Sequence, residues 1–152
     1  MKNVLYALFV FTLSGCSSGS SGNGEVGDPN NTTMFEGVWQ YCDTASTMYR
    51  YVINRNRVTL SITDYANSDC TGAILNTSSD PASFSLGSEF ISSNGVTVTE
   101  VNILTDNGVD WFDIWYLSGV SLYHGAYTKG SPYTADLRPD EIAFEIEYVK
   151  QQ

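Results

Sequence analysis

Residues 95–117 read GVTVTEVNILTDNGVDWFDIWYL, and this stretch decides the fold. Gly95–Thr105 is rich in Val, Thr and Ile, which suit a pleated, half-buried surface. Asp106-Asn107-Gly108 is a hairpin signal, because Asn and Gly tolerate the left-handed backbone of a tight turn. Asp110–Leu117 then resumes a β-prone run. In the first arm the apolar positions shift phase, from Val96 and Val98 to Val101 and Ile103. A β-bulge near Thr99-Glu100 would produce that slip. In the second arm, alternation sends Trp111 and Trp115 to one face and Phe112 and Tyr116 to the other. Both faces therefore carry large aromatic side chains.

The rest of the chain repeats the theme. Phe35–Cys42 and Met48–Ile53 are strand candidates, the second ending in the turn Asn54-Arg55-Asn56. Arg57–Tyr65 alternates cleanly, with Val58, Leu60 and Ile62 opposed to Thr59, Ser61 and Thr63, as in a half-buried strand. Ala66–Cys70 is a polar turn. Ala73–Asn76 and Ser83–Leu86 are weaker strands. Ser118-Gly119 is a second tight turn, and Val120–Tyr127 returns from it. Thr128–Pro139 is a loop containing prolines. Ile142–Val149 alternates and is expected to be the closing strand. No stretch holds the spacing of an amphipathic helix. Some 8–10 short strands with turns between them predict an all-β domain, an antiparallel up-and-down barrel.

Charge removes one class of partner. The chain has 17 acidic and 7 basic residues and a formal net charge of −10. Nucleic-acid binding needs clustered Lys and Arg. The acids are dispersed and read as solubilising surface.

The start of the chain has the parts of a secretory signal. Lys2 precedes the apolar run Val4–Leu13, which is too short to span a bilayer as a helix. Leu13-Ser14-Gly15-Cys16 follows and resembles the bacterial lipobox. That resemblance implies residues 1–15 as a lipoprotein signal peptide, cleavage before Cys16 and acyl chains on its thiol. Two or three chains anchor a protein durably in a membrane. Ser17 is not the aspartate that typically retains such proteins in the inner membrane. The outer membrane, on its periplasmic face, is the expected location. Residues 16–34 are the lipidated cysteine and a Gly/Ser/Asn tether. Such a segment buries too little to order itself, and its reach is roughly 20–25 Å. Residues 35–152 are then the barrel domain, one domain of ordinary size.

With Cys16 lipidated, Cys42 and Cys70 remain. In an oxidising compartment they can form a disulfide. The alternative is a metal site, for which two cysteines and the one histidine, His124, make a poor set. No metal and no cofactor is expected.

Gly37-Val38-Trp39 resembles the Gly-x-Trp opening of lipocalin-type barrels. The resemblance implies that Trp39 plugs the closed end and that a late arginine, here Arg138, packs across its ring. A wider resemblance spans residues 35–149, to small bacterial lipoproteins of unassigned function. It rests on Gly37-Val38-Trp39 with Cys42, on Tyr65 through Ser68-Asp69-Cys70, on Tyr116 through Gly125, and on Arg138-Pro139. It supports the barrel and the Cys42–Cys70 pair and implies no activity.

Catalytic signals are absent from the sequence. There is no His-Glu-x-x-His. His124 reads as a strand-surface or barrel-rim residue, and Asp110 and Asp113 have opposite parity. The segment Asp106–Asp110 could offer oxygens to calcium but lacks the spacing of a calcium loop, so the hairpin reading stands. The aromatic residues Trp111, Trp115, Tyr116, Tyr123 and Tyr127 are the remaining signal. They either pack the interior or form a stripe for sugar rings, a peptide or a partner. The expected function is a non-enzymatic binding module for a small apolar ligand or an envelope partner. Its candidate binding and plug residues are Trp39, Arg138, Trp111, Trp115, Tyr116 and Tyr123. The alternatives are a structural accessory of an envelope complex without a ligand, and an enzyme of undetected type.

Overall fold

The hairpin of residues 95–117 is present in the computed structural model, which describes residues 32–152. The strands are β1 (Gly37–Cys42), β2 (Thr47–Asn54), β3 (Arg57–Tyr65), β4 (Ile74–Ile91), β5 (Thr97–Thr105), β6 (Asp110–Ser118), β7 (Ser121–His124) and β8 (Tyr148–Lys150). Each pairs antiparallel with the next, and β8 returns to β1, so the sheet is a closed up-and-down barrel of eight strands. Closure removes most of the edge that an open sheet would expose. The signal segment 1–15, the lipidation site Cys16 and the tether as far as residue 31 lie outside the described residues. A short helical turn, Thr32–Phe35, belongs to the fold with Thr32 and Phe35 buried. The folded unit thus begins within the segment expected to be tether.

The clean alternation of β3 fixes which face is inside. Val58 pairs with Ile53 and Ala82, and all three are buried in one cluster with Phe35, Trp39, Phe84, Val101, Trp115 and Leu122. This is the barrel interior. A second buried cluster, Val98, Ile114 and Ile142, lies apart from it. Val98 and Ile114 have the opposite parity to Val101 and Trp115, so they face outward.

The two clusters explain the phase shift in β5. Val96 and Val98 belong to the outer cluster, and Val101 and Ile103 to the inner one. The expected bulge at Thr99-Glu100 is not in β5, whose register with β6 runs unbroken from Thr99 to Leu104. The irregularity is in β4, between Leu86 and Glu89, across from Glu100. A strand buried on both faces mimics a slip of phase.

Two other expectations are corrected. Ala73–Asn76 and Ser83–Leu86 are parts of one 18-residue strand. Its middle, Thr77–Pro81, has poor β-propensity, but β3 pairs with it throughout, and cross-strand hydroxyl pairs Ser61–Ser79 and Thr63–Thr77 support it. β3 covers Ile74–Ser83 and β5 covers Ala82–Ile91, so the strand is shared in a stagger. The closing strand is Tyr148–Lys150, not Ile142–Val149. Ile142 packs outside the barrel and Tyr148 inside, so the chain must cross between them. It does so through a turn in which Ile146 N–H donates to Ala143 O.

Cys42 and Cys70 form a disulfide with Cα atoms 6.0 Å apart, tying the end of β1 to the β3–β4 connection. The closed loop has a sequence separation of 28. In the chain-entropy account such a loop contributes about 3–4 kcal/mol. Reduction is expected to lower the unfolding free energy by that amount, measured by urea unfolding, with a slope that rises as the released chain exposes more surface.

Candidate functional site

One end of the barrel is filled. Phe35, Trp39, Phe84 and Trp115 are all buried there. Trp39 Nε1–H donates to Phe35 O at 2.7 Å, which satisfies the indole's only donor. Phe35 and Phe84 pack on Trp115 with centroids at 5.2 and 5.3 Å. The cation over the Trp39 ring is Lys150 Nζ, 4.9 Å from its centroid.

Arg138 does not reach Trp39. It lies on the outside of the barrel, over the Phe112 ring at 5.3 Å. Its guanidinium donates to Asp113 O (2.7 Å), Val101 O (3.2 Å) and Asn102 Oδ1 (2.6 Å), and lies 3.6 Å from Glu100. The neighbouring Pro139 explains the placement. It is seated so closely on Gly125 that a Cβ there would overlap the proline ring. The loop is thereby held against the outer face of β5 and β6, and Arg138 clasps the two strands.

The aromatic stripe is divided between the two faces. Tyr116 and Tyr123 stack at 5.9 Å outside, and both meet Phe144 edge-on. Trp115 is core. Trp111 stands apart from these, inside the barrel, edge-on to Tyr127 and to Tyr133 at 5.3 Å each. The structure therefore joins Trp111 to Tyr127 and Tyr133, and separates it from Tyr116 and Tyr123.

Trp111 belongs to a cavity of about 340 Å3 in the barrel mouth beside the β5–β6 turn. Its walls are Tyr51, Leu60, Ile103, Trp111, Tyr127 and Tyr133, and Asp80 and Asn107 stand among its polar lining. The volume is at the lower end of the scale of small-molecule pockets, and the apolar wall with few polar groups matches their usual composition. The Asp106-Asn107-Gly108 turn shapes one side of it, with Gly108 at φ 80°. Arg57 ties that turn to the start of β3 by a 2.8 Å ion pair with Asp106.

Behind the cavity wall lies a buried polar cluster. Asp113 is 1% exposed and points inward with Trp111 and Trp115. Its carboxylate accepts from Ile114 N–H (2.8 Å), Gly125 N–H (3.1 Å), Trp115 Nε1–H (3.3 Å) and Tyr127 O–H (3.0 Å). Trp111 Nε1–H donates in turn to the Tyr127 oxygen at 3.4 Å. Burial pushes the Asp113 carboxyl upward, opposed by the nearby His124 and by these hydrogen bonds. Burial likewise raises Tyr127, Tyr51 and Tyr148, the last two hydrogen-bonded to each other. His124 is buried, stacked on Tyr127 at 5.3 Å with Nδ1 2.8 Å from Gly125 O, rather than on the strand surface or rim.

Sequence reasoning passed over Asp113 and Tyr51 as site residues. The available signal was parity. Asp113 shares a face with Trp111 and Trp115, and a carboxylate on an aromatic inward face needs donors. The cluster has no activated nucleophile, since its oxygens are committed to one another, and among the described residues no group of three or more His, Cys, Asp and Glu could hold a metal. No protein family matches the chain, and comparison with curated proteins and with solved structures found no similar protein.

Proposed function

We propose that this protein is a non-enzymatic binding module that takes a small apolar ligand into the mouth of its barrel. In the same reading it is held by acyl chains on Cys16 at the periplasmic face of a bacterial outer membrane. The observation that carries the ligand is the cavity of about 340 Å3 walled by Tyr51, Leu60, Trp111 and Tyr127. A barrel used only as a scaffold gains by packing such a space, since unfilled volume costs stability. The anchor rests on the lipobox resemblance alone.

The test uses residues 17–152, which contain the entire barrel, its disulfide and both buried clusters. A library of apolar compounds of up to naphthalene-derivative size is screened by thermal unfolding. A true ligand at about 100 times its Kd adds about 2.7 kcal/mol, a rise in Tm on the order of 10 °C. Trp111 fluorescence should change with the same concentration dependence. A library in which no compound raises the Tm would sink the carrier reading.

A second reading, the accessory of an envelope complex, has its own observation. Ile74–Asp80 pairs with β3 on one side and has no strand on the other among the described residues. Ile74 and Leu75 there are 61% and 68% exposed. An extended segment of a partner could add to this edge as a further strand. A photo-cross-linker at Leu75 in whole cells would capture it.

A further inference from the structure

We propose that the ligand of the barrel mouth is a small aromatic or apolar amine, its ring held against Trp111 and Tyr127 and its ammonium group facing Asp80. The inference deepens the carrier reading and rests on it.

Three observations give the cavity its sign. None of Arg50, Arg55, Arg57, Lys129, Arg138 and Lys150 lines it. Three of them are engaged elsewhere, Arg57 by Asp106, Lys129 by Asp140 and Arg138 by Glu100. An anionic ligand, such as a fatty acid, would find no cation in the cavity to replace its lost hydration. The acids, in contrast, are in place. Asp80 lines the cavity and is exposed, which places its carboxyl group at the opening. Asp113 lies behind the wall, and Tyr127 donates its hydroxyl proton to it. The ring array completes the site. Trp111 meets both Tyr127 and Tyr133 at nearly right angles, 90° and 84°. These edge-on contacts fix the rings as a rigid apolar wall of the cavity, against which the ligand's own ring can lie.

Selectivity for charge is separable from binding as such. Naphthylmethylamine, naphthalenemethanol and naphthoate share one apolar skeleton and differ in charge at neutral pH. Their affinities are measured by quenching of tryptophan fluorescence with residues 17–152 at physiological ionic strength, where the general acidity of the chain is screened beyond about 8 Å. The amine is expected to bind at least about tenfold tighter than the alcohol, and naphthoate weakest of the three. In Asp80→Asn the gap between amine and alcohol is expected to shrink to about threefold or less, and Asp80→Lys is expected to place naphthoate ahead of the amine. Asp80 is exposed, so both variants should keep the wild-type unfolding curve. An alcohol that binds as well as the amine would overturn the inference while leaving the carrier reading standing. So would a gap unchanged in both Asp80 variants, because the preference would then come from elsewhere on an acidic surface. Failure of all three probes to bind, with no shift in Tm, would remove the inference together with the reading beneath it.

Discussion

Asp113→Ala is expected to lower the unfolding free energy by about 4–6 kcal/mol, among the largest effects of any single substitution in the barrel. The carboxylate is the shared acceptor for four donors, two of them the backbone amides of Ile114 in β6 and of Gly125 just beyond β7, and two of them aromatic side chains. Alanine leaves all four without that acceptor in a region from which water is excluded, and each such group costs about 1–3 kcal/mol. Asp113→Asn should cost much less. Its carbonyl oxygen can still accept from Ile114 and Gly125, and the Tyr127 hydroxyl can reverse to accept from the new amide. Trp115 Nε1–H, at 3.3 Å the longest of the four, loses its acceptor, and the Tyr127 proton must turn to another. Urea unfolding of both variants measures the difference. Equal losses for Ala and Asn would mean that the hydrogen bonds are not what the carboxylate supplies. The pH dependence has a definite sign. Because burial raises the folded-state pKa of Asp113, the folded protein holds this proton more tightly than the unfolded chain. The Asp113 contribution to stability therefore falls as pH rises above the unfolded value of about 3.9, and that component should be missing in Asp113→Asn.

The barrel was legible because its signals are local. The Asp106-Asn107-Gly108 turn, the alternation of Arg57–Tyr65 and the parity of Trp111 against Phe112 are each set by a few adjacent residues, and the fold follows them. What sequence could not supply was the identity of the surface opposite each face. Val96 and Val98 looked out of phase because nothing local reveals that Ile142 returns to cover the outside of β5 and β6. Arg138 and Trp39 looked like partners because both sit at the expected points of a pattern, yet the contact depends on which way the Thr128–Pro139 loop folds. That is decided by the close seating of Pro139 on Gly125. Strand β4 failed for the same reason. Thr77–Pro81 has the composition of a loop, and only the length of its pairing with β3 makes it a strand. The candidate site was half visible. Trp111 was singled out for its ring, while Asp113 was set aside because it lacked a carboxylate partner in sequence. Its partners are backbone amides and aromatic N–H and O–H groups brought in from β6, β7 and the segment beyond.

The same buried cluster predicts a steep alkaline transition. Tyr51, Tyr127 and Tyr148 all have phenol groups raised above the ordinary value by burial first, with nearby charge and neighbouring phenols adding to it. In the unfolded chain these phenols ionise near pH 10. In the folded barrel they stay protonated, so above that pH the folded state binds more protons than the unfolded one. Stability then falls as pH rises, by about 1.4 kcal/mol per pH unit for each group and by about 4 kcal/mol per unit for the three together. A domain of ordinary stability, roughly 5–15 kcal/mol, would be driven open within a few pH units. The measurement follows tyrosinate absorbance and near-ultraviolet circular dichroism in one alkaline titration. Three phenolates should appear late, in a single cooperative step that coincides with loss of the dichroism. Tyr148→Phe should reduce the slope of stability against pH by about a third, because one of the three proton sites is gone. Phenolates that all form smoothly near pH 10 while the dichroism holds would mean that water reaches these hydroxyls in the native state. The cavity wall would then be open rather than sealed at Tyr51 and Tyr127, and an ammonium ligand bound there would lose the low-dielectric setting that strengthens its attraction to the rings.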